Sequence, residues 1–283
     1  NVWSYDIVEK IINITKKVDV TDRTFTIFIS GIDTSGKVST VSRSDVNMLV
    51  TVNPVTKDIL MVSIPRDYYV TLANKGRADK LTHAGLGGVE NSVKTIENFM
   101  GIEINYYVRV NFTSLVKIVD ALGGITVESP VAFKTMHGQY QVVAGANEMN
   151  GEQALGFVRE RYSLKGGDVD RVQNQQRVLS AILKKAMSPA IITKYTELMS
   201  SVQGSFETNI TSEEIMELVR MQLIDMASWN FHQTVLSGKG TRMTGGAYMP
   251  GSSLYYMIPD EESVKAASEL IRGMVNGEKI TIE

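Results

Sequence analysis

Apolar and polar positions along the chain alternate between the two-residue period of strands and the 3.6-residue period of helices. Residues 24–30 (TFTIFIS) are β-branched and aromatic and predict a buried strand ending at Gly31. Residues 45–53 (DVNMLVTVN) predict a second strand. Asn53-Pro54 then turns the chain, and 58–64 (DILMVSI) predict a third strand stopped by Pro65, so the last two form a hairpin. A helix is predicted over 89–100, ended by Gly101, and a strand over 105–110 (NYYVRV). Phe112, Leu115, Val116, Val119 and Leu122 share one helical face ahead of Gly123-Gly124. A short strand follows over 125–128. Helices are predicted over 150–158, 169–187, 191–203, 212–228 and 261–274, with short strands over 233–236 and 254–258. At the amino end Trp3, Ile7, Ile11 and Ile14 recur at helical spacing between Asp6, Glu9 and Lys10, an amphipathic helix expected to pack on the domain. Interleaved strands and helices with at least one hairpin predict a three-layer α/β domain around a mixed sheet. No linker, repeat or low-complexity tract divides it, so the expected organisation is a helix and linker over 1–23 and one domain over 24–283.

Composition narrows the function more than the fold. The 283 residues are 43% apolar and 21% charged, ordinary values for a folded soluble protein. There are no cysteines, which excludes disulfides, thiolate nucleophiles and iron–sulfur clusters. His83, His137 and His232 are far apart and no HExxH pattern occurs, which argues against a zinc site. A net charge of -2 supplies no basic field for a nucleic-acid partner. The first residue is Asn1, so a preceding segment is expected to have been removed. No apolar run reaches the roughly 20 residues that cross a bilayer.

Two familiar motifs fail. Gly31-Ile-Asp-Thr-Ser-Gly36-Lys37 follows a strand as a phosphate-binding loop would. But Val38 offers no hydroxyl, Asp33 opposes a cradled phosphate, and the Ser/Val-rich stretch after it is a poor helix start. G-x-S-x-G is absent. Better candidates sit at strand ends, where α/β sheets bind ligands: Asp33, Arg43-Ser44-Asp45, and Arg66-Asp67 after Pro65. Gly151 to Arg177 holds Arg159, Arg161, Arg171 and Arg177, four of the chain's twelve arginines. Arg171 and Gln175 continue the face of Val178 and Ile182 near a helix amino terminus, where anions are favoured. The same pattern fits an Asp168–Arg171 pair with surface arginines, and spacing alone leaves both open. Arginine forks bind phosphate bidentately, and a pair of carboxylates suits Mg²⁺ held together with phosphate oxygens. Arginines and aspartates together fit a metal-bound diphosphate.

These residues resemble the LytR-CpsA-Psr family of cell-wall phosphotransferases. The resemblance rests on Gly31-x-Asp33, Arg43-Ser44-Asp45, SIPRD at 63–67, Asp79-Lys80-Leu81-x-His83-Ala84, VDALGG at 119–124, GEQALGFVRER at 151–161, and Asp168-x-x-Arg171-x-x-Asn174-Gln175. The pieces span about residues 24–187; residues 188–283 match no motif of the family. The resemblance implies an α/β/α sandwich with an apolar channel for a prenyl chain, facing the wall outside the bacterial membrane and held there by a preceding anchor helix. It implies transfer of a glycopolymer from a polyprenyl diphosphate carrier to peptidoglycan. By match, Asp33 and Asp45 would hold Mg²⁺, and Asp45 is the candidate for activating the acceptor hydroxyl. Arg43, Arg66, Arg159, Arg161, Arg171, Gln175 and Lys80 would bind the diphosphate, with Arg66 and Arg171 as its catalytic members. Asp67 and Asp168 would support them. Ser35 and Asn174 stand where many members carry arginine. A pyrophosphatase that replaces the sugar acceptor by water, and a module that only binds the lipid diphosphate, need the same arginines.

Overall fold

The structure is a computed structural model that describes residues 19–280; the helix expected over 2–14 lies outside the described residues. In chain order the elements are β1 Phe25–Ile32, β2 Ser44–Asn53, β3 Asp58–Ser63, β4 Tyr69–Thr71, β5 Ala78–Lys80, a 3₁₀ segment Leu81–Gly87, α1 Val89–Met100, β6 Tyr106–Asn111 and α2 Phe112–Ala121. Then come β7 Ile125–Ser129, β8 Phe133–Lys134, β9 Gln141–Val142, β10 Gly145–Met149, α3 Gly151–Arg159, α4 Asp168–Ala186, α5 Pro189–Ile192 and α6 Tyr195–Ser201. The chain continues through β11 Glu207–Thr208, α7 Ser212–Asp225, β12 Asn230–Val235, β13 Gly238–Met243, β14 Leu254–Pro259 and α8 Glu261–Val275.

Six strands form the central sheet in the order β11-β6-β1-β2-β3-β12. The pairs β1/β6 and β3/β12 are parallel, whereas β1/β2, β2/β3 and β6/β11 are antiparallel. The sheet is therefore mixed, and the 45–64 hairpin forms as predicted. Strand alternation sends side chains to two cores. Leu49, Leu60 and Val62 meet Ile96 and Met100 of α1 and Ala267, Ile271 and Met274 of α8. Met48, Val50, Ile59 and Met61 meet Leu179 and Leu183 of α4 and Leu218 of α7. Helices thus cover both faces, giving the three-layer α/β/α sandwich. A third cluster packs Val119, Val127, Phe157 and Val178 between α2, β7, α3 and α4.

The helix expected over 191–203 is two short helices. Thr193 Oγ1 donates back to the Pro189 carbonyl at 3.0 Å, and Lys194 leaves helical backbone space at φ -108, ψ 23. The helix expected to reach 228 stops at Asp225, because Met226 takes a left-handed φ of 43. The strands β4, β5, β8, β9, β10, β11 and β13 have no counterpart in the apolar pattern: all are short, and β13 (GKGTRM) is nearly devoid of apolar side chains.

Candidate functional site

Strand direction gathers the candidate residues at one edge. β1, β3, β6 and β12 run the same way and end there, and antiparallel β2 begins there. Asp33 lies one residue past β1 and is exposed. Asp45 is the second residue of β2. The β1/β2 register passes from Gly31↔Val46 to Ile32↔Ser44, so Asp45 is the extra residue of a β-bulge. Bulges re-aim a side chain at the cost of one ladder pair. The bulge also explains Gly31, where a Cβ would stand 2.7 Å from the Val46 Cβ. Arg43 is exposed at the mouth of β2. The loop between β1 and β2 contains no helix, and β2 follows it directly, which closes the phosphate-loop reading.

Pro65 ends β3 and turns Arg66 and Asp67 across the edge. Arg66 Nη1 donates to Asp45 Oδ1 at 2.8 Å, while its Nε stands 3.7 Å from Asp67 Oδ2. Lys80 Nζ donates to the other Asp67 oxygen at 2.8 Å. Charge therefore alternates from Asp45 through Arg66 and Asp67 to Lys80. Burial works against the Arg66 cation, but the bond and field of Asp45, with Asp67 and Asp168, outweigh it and raise its pKa above the ordinary arginine value.

The other side of the site comes from the α3–α4 connection. The Asn150 capping box starts α3, and Glu160 ends it. Glu160 is buried and accepts from the amides of Met136, Arg161 and Ser163, which fixes the turn carrying the arginines. Desolvation would raise its pKa, yet these backbone bonds hold it below the ordinary glutamate range. Arg159 lies over the Phe112 ring at 4.4 Å, and Arg161 over Tyr162 at 5.0 Å. At the start of α4, Arg171 Nη2 bonds Asp168 Oδ1 at 2.6 Å. The Asp168–Arg171 pair that the spacing allows is therefore formed. Arg171 Nε is buried and has no hydrogen-bond partner among the described residues. Burial lowers the Arg171 pKa below the ordinary value; Asp168 and Asp45 oppose this, and the like charges of Arg66 and Arg161 add to it. Those mutual fields join β2, the β3 end and α4 into one electrostatic unit. Gln175 is half-buried on α4, and Asn174 is buried with its oxygen accepting from Arg177 Nη1 at 2.7 Å.

Three supporting residues escaped the sequence reading. Gln176 Nε2 donates to Ser63 Oγ at 2.9 Å and to the Thr234 carbonyl at 2.8 Å, tying α4 to the ends of β3 and β12. Phe112 is the floor under Arg159. Gly85, in the 3₁₀ segment, packs on backbone: a Cβ there would stand 2.5 Å from the Ser42 oxygen and 2.8 Å from the Ser44 nitrogen. Only the first carried a signal, a second glutamine beside Gln175. Among the described residues no group of three or more His, Asp or Glu side chains could hold a metal by itself. Of the two carboxylates that the family resemblance implies for Mg²⁺, Asp33 is exposed just past β1 and Asp45 gives its Oδ1 to Arg66.

The fold and this edge define a class: a three-layer α/β/α protein that gathers guanidinium groups around aspartates where its parallel strands end. A family model described as LytR_cpsA_psr family matches residues 5–270. The polyisoprenyl-teichoic acid--peptidoglycan teichoic acid transferase TagU of Bacillus cereus is 31% identical over 236 residues, 83% of this chain and 73% of that protein. The crystal structure of B. subtilis TagV superposes with a TM-score of 0.76 at 27% identity, covering 92% of this chain and 99% of that one. TagT bound to LIIa-WTA gives a TM-score of 0.73 at 27% identity over 93% and 94% of the two chains. The chain belongs to the LytR-CpsA-Psr family.

Proposed function

We propose that this protein is a phosphotransferase that moves a glycopolymer from a polyprenyl diphosphate carrier to peptidoglycan and leaves a phosphodiester link. The observation that carries the reading is Arg171: a half-buried cation with an unpartnered Nε, facing the like charges of Arg66 and Arg161. Such a cluster is relieved by an anion with several oxygens, and a diphosphate supplies one. Kinship with proteins named as teichoic acid transferases, and with TagT bound to LIIa-WTA, supports the same donor class.

In the reaction an acceptor sugar hydroxyl attacks the phosphorus that bears the glycan. The new O–P bond forms as the bond to polyprenyl phosphate breaks. Arg66, Arg171, Arg161, Arg159 and Arg43 neutralise and align the diphosphate, with Gln175 and Lys80 beside them, and Asp45 receives the hydroxyl proton. Asp67 and Asp168 hold Lys80 and Arg171 in place. Catalysis of this kind is positioning plus charge stabilisation. Mg²⁺ on Asp33 and Asp45 would supply further neutralisation of the diphosphate charge. We place the protein on the outer face of the bacterial membrane, anchored by a preceding segment; no helix among the described residues is long and apolar enough to cross a bilayer.

The test is a transfer assay with a short polyprenyl-diphosphate glycan of wall teichoic acid type, peptidoglycan fragments and Mg²⁺, read by mass spectrometry. The expected product is a glycan–phosphate–peptidoglycan adduct. Arg66→Ala should lower its rate by about 100-fold or more, the usual loss for one preorganised charge-stabilising group. Free glycan phosphate as the sole product would replace transfer by hydrolysis. Binding without any product would make the protein a carrier-binding module.

A further inference from the structure

The third of the chain after α4 supplies none of the candidate site residues, yet one of its loops is fastened to the edge described above. Asp79 in β5 is fully buried. Its Oδ1 accepts from the Lys80 amide at 2.7 Å and from His83 Nδ1–H at 2.9 Å. Its Oδ2 accepts from the Tyr248 amide at 2.8 Å, in the loop that joins β13 to β14. The Tyr248 ring stands edge-on to His83 at 5.7 Å, with Lys75 Nζ 4.8 Å from the same ring. The Ala247 amide donates to the Ala78 carbonyl at 3.1 Å. Gly246 lets the loop come this close: a Cβ there would collide with the Tyr256 hydroxyl and stand 3.0 Å from Asp79 Oδ1.

The same short stretch reaches the site in two directions. Lys80 bonds Asp67, the neighbour of Arg66. Gly85 packs against the backbone of Ser42 to Ser44, which leads into Asp45. Residues 79–85 are therefore a hub with the hairpin loop on one side and Asp67 and the start of β2 on the other. A buried carboxylate needs donors that do not move, and His83 is one of three.

We infer that His83 is a positioning residue. Through Asp79 it latches the loop 244–250 to the hub and holds Lys80 and the start of β2 in register for the diphosphate. The role belongs to the Nδ1 donor; the ring takes no proton from substrate. This rests on the reading of the site as a diphosphate site. Two substitutions separate donor from ring. In His83→Asn the side-chain amide nitrogen takes the place of Nδ1, whereas His83→Ala leaves Asp79 without that donor.

The experiment measures three quantities for wild type, His83→Ala and His83→Asn: hydrogen exchange of the Tyr248 amide, calorimetric binding of farnesyl diphosphate with Mg²⁺, and transfer across pH. His83→Ala should exchange Tyr248 roughly tenfold faster or more and weaken diphosphate binding by a similar factor, the size of one charge-assisted bond to a buried carboxylate. His83→Asn should stay near wild type in all three, with an unchanged pH profile. Asp79 and Tyr248 face the His83 ring, Lys75 lies over Tyr248, Lys80 lies over Tyr256, and none of these groups is altered. His83→Ala that binds diphosphate as wild type does would overturn the inference. So would His83→Asn as impaired as His83→Ala, which would assign the work to the ring. Wild type that binds the diphosphate but transfers nothing would sink the proposed function alone, and the latch would still be read from exchange and binding.

Discussion

Gly85→Ala tests whether the 3₁₀ segment sets the position of the proposed diphosphate edge. The added methyl would stand 2.5 Å from the Ser42 oxygen, 2.8 Å from the Ser44 nitrogen and 3.2 Å from the Arg43 carbonyl carbon. All three are backbone atoms, so no side chain can rotate away. Ordinary contact begins near 3.4 Å, and the segment or the β2 start must therefore shift by about 0.9 Å. Overpacking of this kind costs about 1–3 kcal/mol, which for a domain of this size lowers Tm by roughly 2–5 °C. The larger effect is on chemistry. A displacement near 1 Å in a positioned group can cost on the order of 100-fold in rate. The assay is transfer of the lipid-linked glycan far below the variant's melting temperature, with circular dichroism to show that the protein is folded. Gly87→Ala is the control. Its Cβ would meet the Asn74 and Asn91 side-chain amides and no backbone of the β2 start, so it should strain the Asn91 bonds to Asn74 and Ala84 and lose stability, with a smaller loss of rate. The reasoning fails if folded Gly85→Ala transfers at the wild-type rate, or if Gly87→Ala loses as much.

Two further outcomes are expected, the first from the proposed function and the second from the structure. Chelation should abolish transfer and added Mg²⁺ should restore it, with Asp33→Asn and Asp45→Asn each raising the Mg²⁺ concentration needed by about tenfold or more; a rate indifferent to chelator would remove the metal from the mechanism. Glu160 has a lowered pKa in the folded state, so its stabilisation is complete above the ordinary glutamate value and is lost as pH falls through the lower folded one. Glu160→Gln should therefore melt below wild type at neutral pH, with the gap closing in acid, and a gap independent of pH would refute the assignment.

Much of the site was legible because its residues come in short runs. Asp168 and Arg171 are three apart on a helix, so their pairing is set by helical pitch. Arg66 and Asp67 follow a proline that must end a strand. What these runs do not contain is their partners. Nothing local in Asp45 indicates that a bulge turns it toward Arg66, 21 residues on. Gln175 and Gln176 look alike in sequence. Only the packing of α4 on the sheet shows that Gln176 reaches Ser63 across 113 residues.

By itself the sequence determined the strand and helix alternation, the hairpin, the two-faced sheet core and the family. Each depends on periods of a few residues, and a local period survives in the order of the letters. Tertiary structure decided the rest: the broken helix at Thr193, the pairing of β13 with β14, the Asp45–Arg66–Asp67–Lys80 chain and the Asp79 latch. A short polar strand forms only when a partner meets its backbone, and a buried ion finds its counter-charge only after distant elements dock. That information resides in register and packing, which no local window of sequence contains.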